Sequence, residues 1–238
     1  MLLLITDTSR STGFVALVRA GEAQENQIRV IEKAALAGGT FSAQLVPQIA
    51  GLISKHGFAK TDIGAFIVAS GPGSFTGLRV GLAAVKALGE ILHKPIVPVS
   101  LLEVVAVASG TQGKVLAVLD AGRGEIYAGE YEVDGESARR IEERLLRKSE
   151  FLPRAQGAET VSPDESLIAT LRADGVSARK VDAPEAAEIG RLGWQRLRDG
   201  LVVSPEQLEA NYIRHSDAEI FAKPAIRSRC PTSGRKMT

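Results

Sequence analysis

Short apolar runs alternate with longer helical patterns along the first hundred residues of the chain. Runs with strand character are predicted over residues 2–6, 13–18, 27–35, 65–69 and 94–99. Apolar residues at helical spacing predict helices over residues 41–55 and 77–92. The last strand contains Pro95 and Pro98, which favours a place at the edge of a sheet or at the start of a strand. This order of strands and helices predicts an α/β layered lobe.

The second half of the chain repeats the opening pattern. An apolar run over residues 115–119 ends in Asp120, a polar turn follows, and residues 125–131 alternate like a hairpin partner. The first apolar run ends in the same way, at Asp7, before its own turn and strand. The repetition indicates an internal duplication with two lobes. Two unrelated hairpins also account for it, because aspartate is favoured in turns.

The helical and strand patterns weaken between residues 139 and 180, where charged residues mix with proline and glycine. The second lobe is therefore expected to be small. Further on, apolar spacing predicts a helix over residues 184–198, and a capping pattern predicts a short helix over residues 204–208.

These patterns divide the chain into three parts. Residues 1–102 are predicted to form the first lobe. Residues 103–215 are predicted to form a reduced second lobe with C-terminal helices, some of which return to the first lobe. Residues 216–238 are predicted to be a disordered tail, because five lysines and arginines follow Glu219 and no acidic residue does.

Composition excludes several classes of protein. With 45% hydrophobic and 24% charged residues in 238, the chain has the make-up of a soluble globular protein. A net charge of +1 creates no strong field toward nucleic acid. The single Cys230 excludes an internal disulfide and argues against a cysteine-based zinc site. No run approaches the roughly 18 apolar residues of a membrane span, so we expect a cytoplasmic protein without a membrane partner.

The most specific motif covers residues 71–81 and reads Gly-Pro-Gly-Ser-Phe-Thr-Gly-Leu-Arg-Val-Gly. It follows a predicted strand and opens a predicted helix. Glycines in such a loop let backbone amides turn toward one point near a positive helix end. The residues predicted to contact an anion or a nucleotide there are Gly71, Gly73, Ser74, Thr76 and Arg79. A tight turn before a well-capped helix is the alternative interpretation.

This block resembles the signature of the TsaB (YeaZ) family, accessory subunits of the bacterial machinery that attaches threonylcarbamoyl to a tRNA adenosine beside the anticodon. The resemblance covers most of residues 1–132 and the short segment 211–214. It implies an α/β fold with two lobes of the actin/Hsp70-like (ASKHA, RNase H-like) kind and a reduced second lobe. It also implies that Asp7 and Asp120 face one cleft between the lobes, where we expect vestigial structural carboxylates rather than metal ligands.

The helix over residues 77–92 is apolar around most of its circumference, so it is either buried centrally in its lobe or packed on a sheet and also on another molecule. Of these two arrangements we favour the second. The resemblance implies the same, because in the TsaB family this helix and the preceding one form the surface for self-association and for the catalytic subunit TsaD. The residues predicted for this partner interface are Leu45, Ile49, Leu52, Leu78, Leu82, Val85 and Leu88.

Groups needed for catalysis are not found where the resemblance places them. TsaD-type relatives bind a metal through a histidine pair on the helix that corresponds to residues 41–53, which here contains no histidine and begins with Phe41. The turn after Asp7 lacks the glycine that lets phosphate approach in active relatives. No Gly-x-Ser-x-Gly motif supports a serine hydrolase. We therefore predict no catalytic residues, no metal and no cofactor.

The resemblance then implies a non-catalytic scaffold that supports a TsaD-type catalytic subunit. Its expected partners are that subunit, a TsaE-type ATPase in the larger complex, a second copy when alone, and tRNA only through the complex. One alternative is a small nucleotide-dependent kinase or hydrolase of the same superfamily, for which ATP binding by the isolated chain is the discriminating observation. Another alternative is a homodimer without an enzyme partner.

Overall fold

The computed structural model describes residues 1–21, 27–211 and 213. The first sheet contains β1 (Leu2–Asp7), β2 (Thr12–Ala20), β3 (Ile28–Ala37), β4 (Ile63–Gly71) and β5 (Ile96–Ser100). Helix α1 (Phe41–Lys55) connects β3 to β4, and helix α2 (Phe75–Leu92) connects β4 to β5. The order of strands and helices predicted for this lobe is therefore confirmed.

The second sheet begins after helix α3 (Leu101–Ala108). It contains β6 (Gly113–Gly122), β7 (Glu125–Asp134), β8 (Ser137–Arg147), β9 (Glu159–Ser162) and β10 (Ala178–Lys180). Helix α4 (Lys148–Phe151) lies between β8 and β9, and helix α5 (Glu165–Ala173) lies between β9 and β10. Helix α6 (Ala186–Arg198) follows the second sheet.

The two sheets have the same topology. Their strand orders are β3-β2-β1-β4-β5 and β8-β7-β6-β9-β10. In each sheet the first three strands in the chain pair antiparallel and the last two pair parallel. The internal duplication indicated by the sequence is thereby confirmed, and β5 lies at an edge, as its prolines predicted.

The second lobe keeps all five strands and is reduced only in its later elements, since β6, β7 and β8 have 10, 10 and 11 residues. Strand β9 has 4 residues where its counterpart β4 has 9, and α5 has 9 residues where α2 has 18. Strand β8 was not predicted from the sequence, because it is an edge strand and its many exposed positions carry charged residues. Strand β10, with 3 residues, is too short to show a strand period.

Helices cover both faces of the first sheet, which explains why every residue of β1 is buried. Leu2 and Leu4 point to one face, where they pack with the apolar residues of α1 and α2. Leu3 and Ile5 point to the other face, where they pack with α3 and α6. Helix α6 follows the second sheet in the chain and packs on the first sheet.

One predicted helix is wrong. Residues 204–208 form a turn, although Ser204 still accepts hydrogen bonds from the amides of Gln207 and Leu208. The turn is held at both ends, because Val203 bridges to Ile96 of β5 and Leu208 is buried in the core. The predicted basic tail, with Cys230, lies outside the described residues. No helix among the described residues is long and apolar enough to span a bilayer.

Candidate functional site: the interlobe cleft and the helix face

A cleft of about 690 Å³ lies between the two lobes. The first lobe contributes the turn of its opening hairpin and the loop that carries the glycine signature. The second lobe contributes the turn of its own hairpin and the segment before α5. The residues that matter below are Ser9, Arg10, Gly73, Ser74, Asp120 and Arg123.

The signature glycines bring α2 against the first hairpin turn. A Cβ atom on Gly73 would lie 2.3 Å from the carbonyl oxygen of Ser9, and one on Gly77 would lie 2.0 Å from the carbonyl oxygen of Thr8. A Cβ on Gly81 would lie 2.4 Å from the hydroxyl of Thr8. Real Cβ atoms do not come this close, so the glycines are required by packing.

Hydrogen bonds join the turn and the helix at the same place. The Ser74 amide donates to the Ser9 carbonyl oxygen at 2.6 Å, and the Thr8 hydroxyl donates to the Gly77 carbonyl oxygen at 2.7 Å. Ser74 is also the N-cap of α2, since its hydroxyl accepts from the Gly77 amide at 3.3 Å. The amides of Ser74 and Gly77 are therefore already bonded within the chain.

The residues predicted to contact an anion occupy different places. Gly73 and Ser74 line the cleft. Gly71 is buried at the end of β4, with φ of +122° and a cis peptide bond to Pro72. Thr76 is exposed on the first turn of α2, and Arg79 is exposed with its guanidinium 3.7 Å from the centre of the Phe75 ring. Their joint role in binding an anion stays a prediction.

The two aspartates differ in their surroundings. Asp7 is fully buried, and its Oδ1 accepts hydrogen bonds from the amide and the hydroxyl of Ser9 at 2.9 and 2.6 Å. Its Oδ2 lies 3.6 Å from the Arg10 guanidinium. Asp120 is exposed in the cleft and accepts from the Gly122 amide at 2.8 Å. Asp7 thus lies beneath the cleft floor, while Asp120 reaches the cleft.

Two arginines of the cleft were missed by the sequence reasoning. Arg10 lies three residues after Asp7, and Arg123 lies three residues after Asp120. Because the two hairpins are topologically equivalent, an alignment of the two halves of the chain is the signal that identifies both arginines. Arg10 also donates to the Pro184 carbonyl oxygen at 2.8 Å, and it thereby ties the first hairpin to the segment before α6.

The structure corrects the residues of the predicted partner surface. Six of the seven side chains are at most 5% exposed in the core between the helices and the first sheet, and Leu88 is partly buried. The most apolar side of each helix packs against the first sheet, so those side chains are not available to a partner. The six buried residues are Leu45, Ile49, Leu52, Leu78, Leu82 and Val85.

A different set of residues on the same helices faces outward. Val46 of α1 is 54% exposed and Ile91 of α2 is 69% exposed. Exposed alanines accompany them on both helices, which pack against each other. We call this set the outer face of α1 and α2. Its members are Ala43, Val46, Ala50, Ala83, Ala87 and Ile91.

Comparison with known proteins gives a consistent result. A family model described as TsaD, tRNA N6-adenosine threonylcarbamoyltransferase, matches residues 34–221. The chain is 34% identical over 134 residues to the tRNA threonylcarbamoyladenosine biosynthesis protein TsaB of Bacillus subtilis (strain 168), and the match covers 56% of each chain. It is 28% identical over 194 residues to TsaB of Escherichia coli (strain K12), covering 74% of this chain and 81% of that protein.

Solved structures agree with the sequence relatives. The crystal structure of an uncharacterized protein from Pseudomonas aeruginosa with similarity to peptidase YEAZ has a TM-score of 0.70 and 25% identity. That match covers 90% of this chain and 99% of the other. YeaZ from Pseudomonas aeruginosa has a TM-score of 0.67 at 23% identity and shows the same fold.

Two equivalent five-stranded sheets around one cleft define a protein of the actin/Hsp70-like, RNase H-like class. Within this class, the chain belongs to the TsaB (YeaZ) family of the TsaD superfamily. The glycine signature predicted both the fold and the family, and both predictions are confirmed.

Proposed function

We propose that this protein is a non-catalytic scaffold in the biosynthesis of threonylcarbamoyladenosine in tRNA, and that it binds a TsaD-type catalytic subunit. The relatives from Bacillus subtilis and Escherichia coli are named for that biosynthesis. The structural observation that carries the proposal is the outer face of α1 and α2, which exposes Val46 and Ile91 among alanines.

The outer face has the chemistry of a protein interface. The centres of such interfaces are depleted in charge and bury apolar side chains. Alanines allow the backbone of a partner helix to come close, and Val46 and Ile91 supply apolar area to be removed from water. Arg79, one turn before Ala83, and Glu90, next to Ile91, are both exposed and supply charges at the rim.

The first hairpin supports a non-catalytic role. An Asp7 carboxylate available for a nucleotide-bound metal would need a free oxygen facing the cleft. Here Oδ1 accepts two hydrogen bonds from Ser9, and Oδ2 accepts none but is buried 3.6 Å from the Arg10 guanidinium, so neither oxygen lines the cleft. The turn of this hairpin is further closed by its contacts with Gly73 and Gly77 of the signature.

Size-exclusion chromatography with light scattering tests the partner. The chain is mixed with the TsaD homologue of its own organism, and we expect a complex that Val46→Glu or Ile91→Glu weakens at least tenfold. Gln48→Glu is the matched control, because Gln48 is an exposed position of α1 outside the outer face. A wild-type mixture that shows no complex contradicts the proposal, as does equal weakening by the control variant.

The further partners follow from the same face. We propose that the isolated chain forms a homodimer through the outer face, and that a TsaD-type subunit displaces the second copy. A TsaE-type ATPase and tRNA are proposed to meet the chain only within the larger complex. Titration of the homodimer with the catalytic subunit is expected to give a one-to-one complex, whereas a complex of two copies with one catalytic subunit contradicts the shared face.

A nucleotide-dependent kinase or hydrolase is the second candidate, favoured by a cleft of about 690 Å³ that contains Arg10 and Arg123. Calorimetric titration of the isolated chain with ATP and Mg²⁺ distinguishes it from the scaffold. Micromolar binding that Arg123→Ala weakens tenfold or more supports the enzyme, whereas the scaffold predicts no such binding. Arg139→Ala serves as control, because Arg139 is exposed on β8 and does not line the cleft.

A further inference from the structure

Glu143 lies on the edge strand β8, yet its side chain is only 4% exposed. Removing a carboxylate from water costs free energy unless hydrogen-bond donors replace its hydration. Three neutral donors do so here. The Ser100 hydroxyl donates to Oε1 at 2.6 Å, the Tyr131 phenol donates to the same oxygen, and the Asn211 side-chain amide donates to Oε2.

The three donors come from separate parts of the molecule. Tyr131 lies on β7 of the second lobe, next to the strand of Glu143. Ser100 ends β5 in the first lobe, and Asn211 belongs to the C-terminal segment. Glu143 therefore joins the second lobe to two elements outside it.

The hydroxyl of Ser100 does not cap the helix that follows it. Ser100 is the N-cap residue of α3, where a serine commonly accepts a hydrogen bond from an amide of its own helix. In this structure no such side-chain bond is made, and the hydroxyl donates across the lobes to Glu143. Helix capping is replaced by a contact between the two lobes.

Gly129 gives Tyr131 the space to reach Glu143. In the register of β7 and β8, Gly129 stands opposite Glu143. A Cβ on Gly129 would lie 2.5 Å from the Tyr131 ring and 3.2 Å from the Cβ of Leu102. Burial and the charge of Glu143 raise the pKa of Tyr131 well above its ordinary value, so the phenol stays protonated and remains a donor.

Asn211 extends the connection to the signature loop. Its backbone amide donates to the Ser70 carbonyl oxygen at 2.8 Å. Its carbonyl oxygen lies 3.3 Å from the position that a Cβ would take on Gly71. Through Asn211, the Glu143 side chain of the second lobe is thereby connected to Ser70 and Gly71, which precede the cis Gly71–Pro72 bond.

We propose that Glu143 is an interlobe latch, a positioning residue whose bonds to Ser100 and Asn211 set the angle between the lobes and hold the C-terminal segment against the signature loop. The charged groups that face this carboxylate are Arg140, 3.6 Å from its Oε2, and Glu103 of α3. The proposal concerns the geometry of the isolated chain and does not rest on the proposed scaffold function.

Distances between spin labels on the two lobes test the latch. Cys230 is the only cysteine of the chain, so Cys230→Ser gives a background free of other thiols. Gln48→Cys on α1 and Ala169→Cys on α5 are exposed label sites. We expect one narrow distance distribution in this parent, and a distribution at least twice as wide, or shifted by several ångströms, with Glu143→Ala.

Two further variants separate positioning from general destabilisation. Glu142→Ala is the matched control, since Glu142 is the neighbouring carboxylate and pairs on the sheet surface with Arg144 and Arg154. We expect it to leave the distribution unchanged. Glu143→Gln is the conservative variant, because a primary amide offers both an oxygen acceptor and NH2 donors and can still hydrogen-bond to Ser100 and Asn211. We expect it to keep the narrow distribution that Glu143→Ala loses.

The outcome that overturns the latch is a folded Glu143→Ala protein, with unchanged far-ultraviolet circular dichroism, that keeps the distance distribution of the parent. If Glu143→Ala does not fold, Ser100→Ala decides, because it removes one hydroxyl and leaves the carboxylate with its other donors. A broadened distribution in Ser100→Ala supports the latch, and an unchanged one overturns it.

Discussion

The backbone amide of Ser74 donates a hydrogen bond of 2.6 Å to the carbonyl oxygen of Ser9. This bond joins the first turn of the chain to the start of α2, between residues 65 positions apart in the sequence. Together with the glycine contacts at Thr8 and Ser9, it makes the signature loop a joint between two elements of the first lobe. The most specific motif of the sequence is therefore, in the first place, a packing motif.

The joint predicts a large effect for Gly77→Ala. The new Cβ would lie 2.0 Å from the Thr8 carbonyl oxygen, a backbone atom that cannot rotate away. We expect a loss of about 2–4 kcal/mol in the free energy of unfolding, at or above the usual range for overpacked sites. Urea denaturation measures it. Gly51→Ala in α1 is the control, because that site is open and alanine is expected to gain about 0.5–1 kcal/mol there. Equal effects at both sites contradict the packing role.

The difference in burial between Leu82 and Val46 predicts a contrast between two truncations. Leu82→Ala removes a side chain that is 5% exposed in the core under α2, so we expect a loss of about 2–5 kcal/mol in unfolding free energy. Val46→Ala removes a side chain that is 54% exposed, and we expect a change within about 0.5 kcal/mol. Thermal and urea unfolding of the isolated chain check both values. A large loss from Val46→Ala would mean that its side chain is covered.

The N-cap of α2 predicts a difference between two replacements of Ser74. The hydroxyl accepts from the Gly77 amide at 3.3 Å, so Ser74→Ala leaves that amide without its partner. We expect Ser74→Ala to lower the free energy of unfolding by about 1 kcal/mol and Ser74→Gly to lower it by only a few tenths. Denaturant midpoints of the two variants give the comparison. Indistinguishable midpoints would show that the cap contributes little.

The pair of Glu103 and Arg196 predicts a pH dependence of stability. Glu103 lies on α3 with its side chain 6% exposed, and burial raises its pKa above the ordinary 4.5 even though Arg196 opposes this. The folded chain then binds the proton more tightly than the unfolded chain does. The stabilising contribution is complete below pH 4.5 and is lost as the pH rises through the raised pKa.

Glu103→Gln is the variant that reveals this dependence, since glutamine does not titrate. We expect the stability of the wild type relative to Glu103→Gln to fall as the pH rises from about 4 toward neutrality. Urea denaturation of both proteins across that pH range measures the difference in their free energies of unfolding, in which the contributions of the other carboxylates cancel. A difference that grows with pH would show that the ion pair with Arg196 outweighs burial.

Patterns that repeat at the period of an element were sufficient to predict the first lobe. Strand β1 has six buried residues and α1 shows apolar positions at helical spacing, so both were recognised from local sequence. The motif of residues 71–81 identified the family. Strand β8 was missed because its outward positions are charged, and β10 was missed because a segment of 3 residues contains no period.

The candidate site could be predicted only in part. A sequence pattern shows that one side of a helix is apolar, but it does not show whether the sheet of the same chain or a partner protein packs against that side. The leucines of α2 were assigned to a partner, whereas the first sheet buries them. The network around Glu143 joins residues separated by 12, 43 and 68 positions, and no local pattern connects residues that far apart. Arg10 and Arg123 were accessible to sequence reasoning, but only through the equivalence of the two hairpins.

The contact between Thr8 and Gly81 has a consequence for how sequences of this family change. A Cβ at position 81 would lie 2.4 Å from the Thr8 hydroxyl, so the two positions share one volume. A larger residue at position 81 therefore needs a smaller or reoriented side chain at position 8, whereas a smaller residue at position 8 alone leaves only a small cavity. When relatives are aligned, the residues at positions 8 and 81 should therefore covary, because the two side chains compete for the same space between the first hairpin turn and α2.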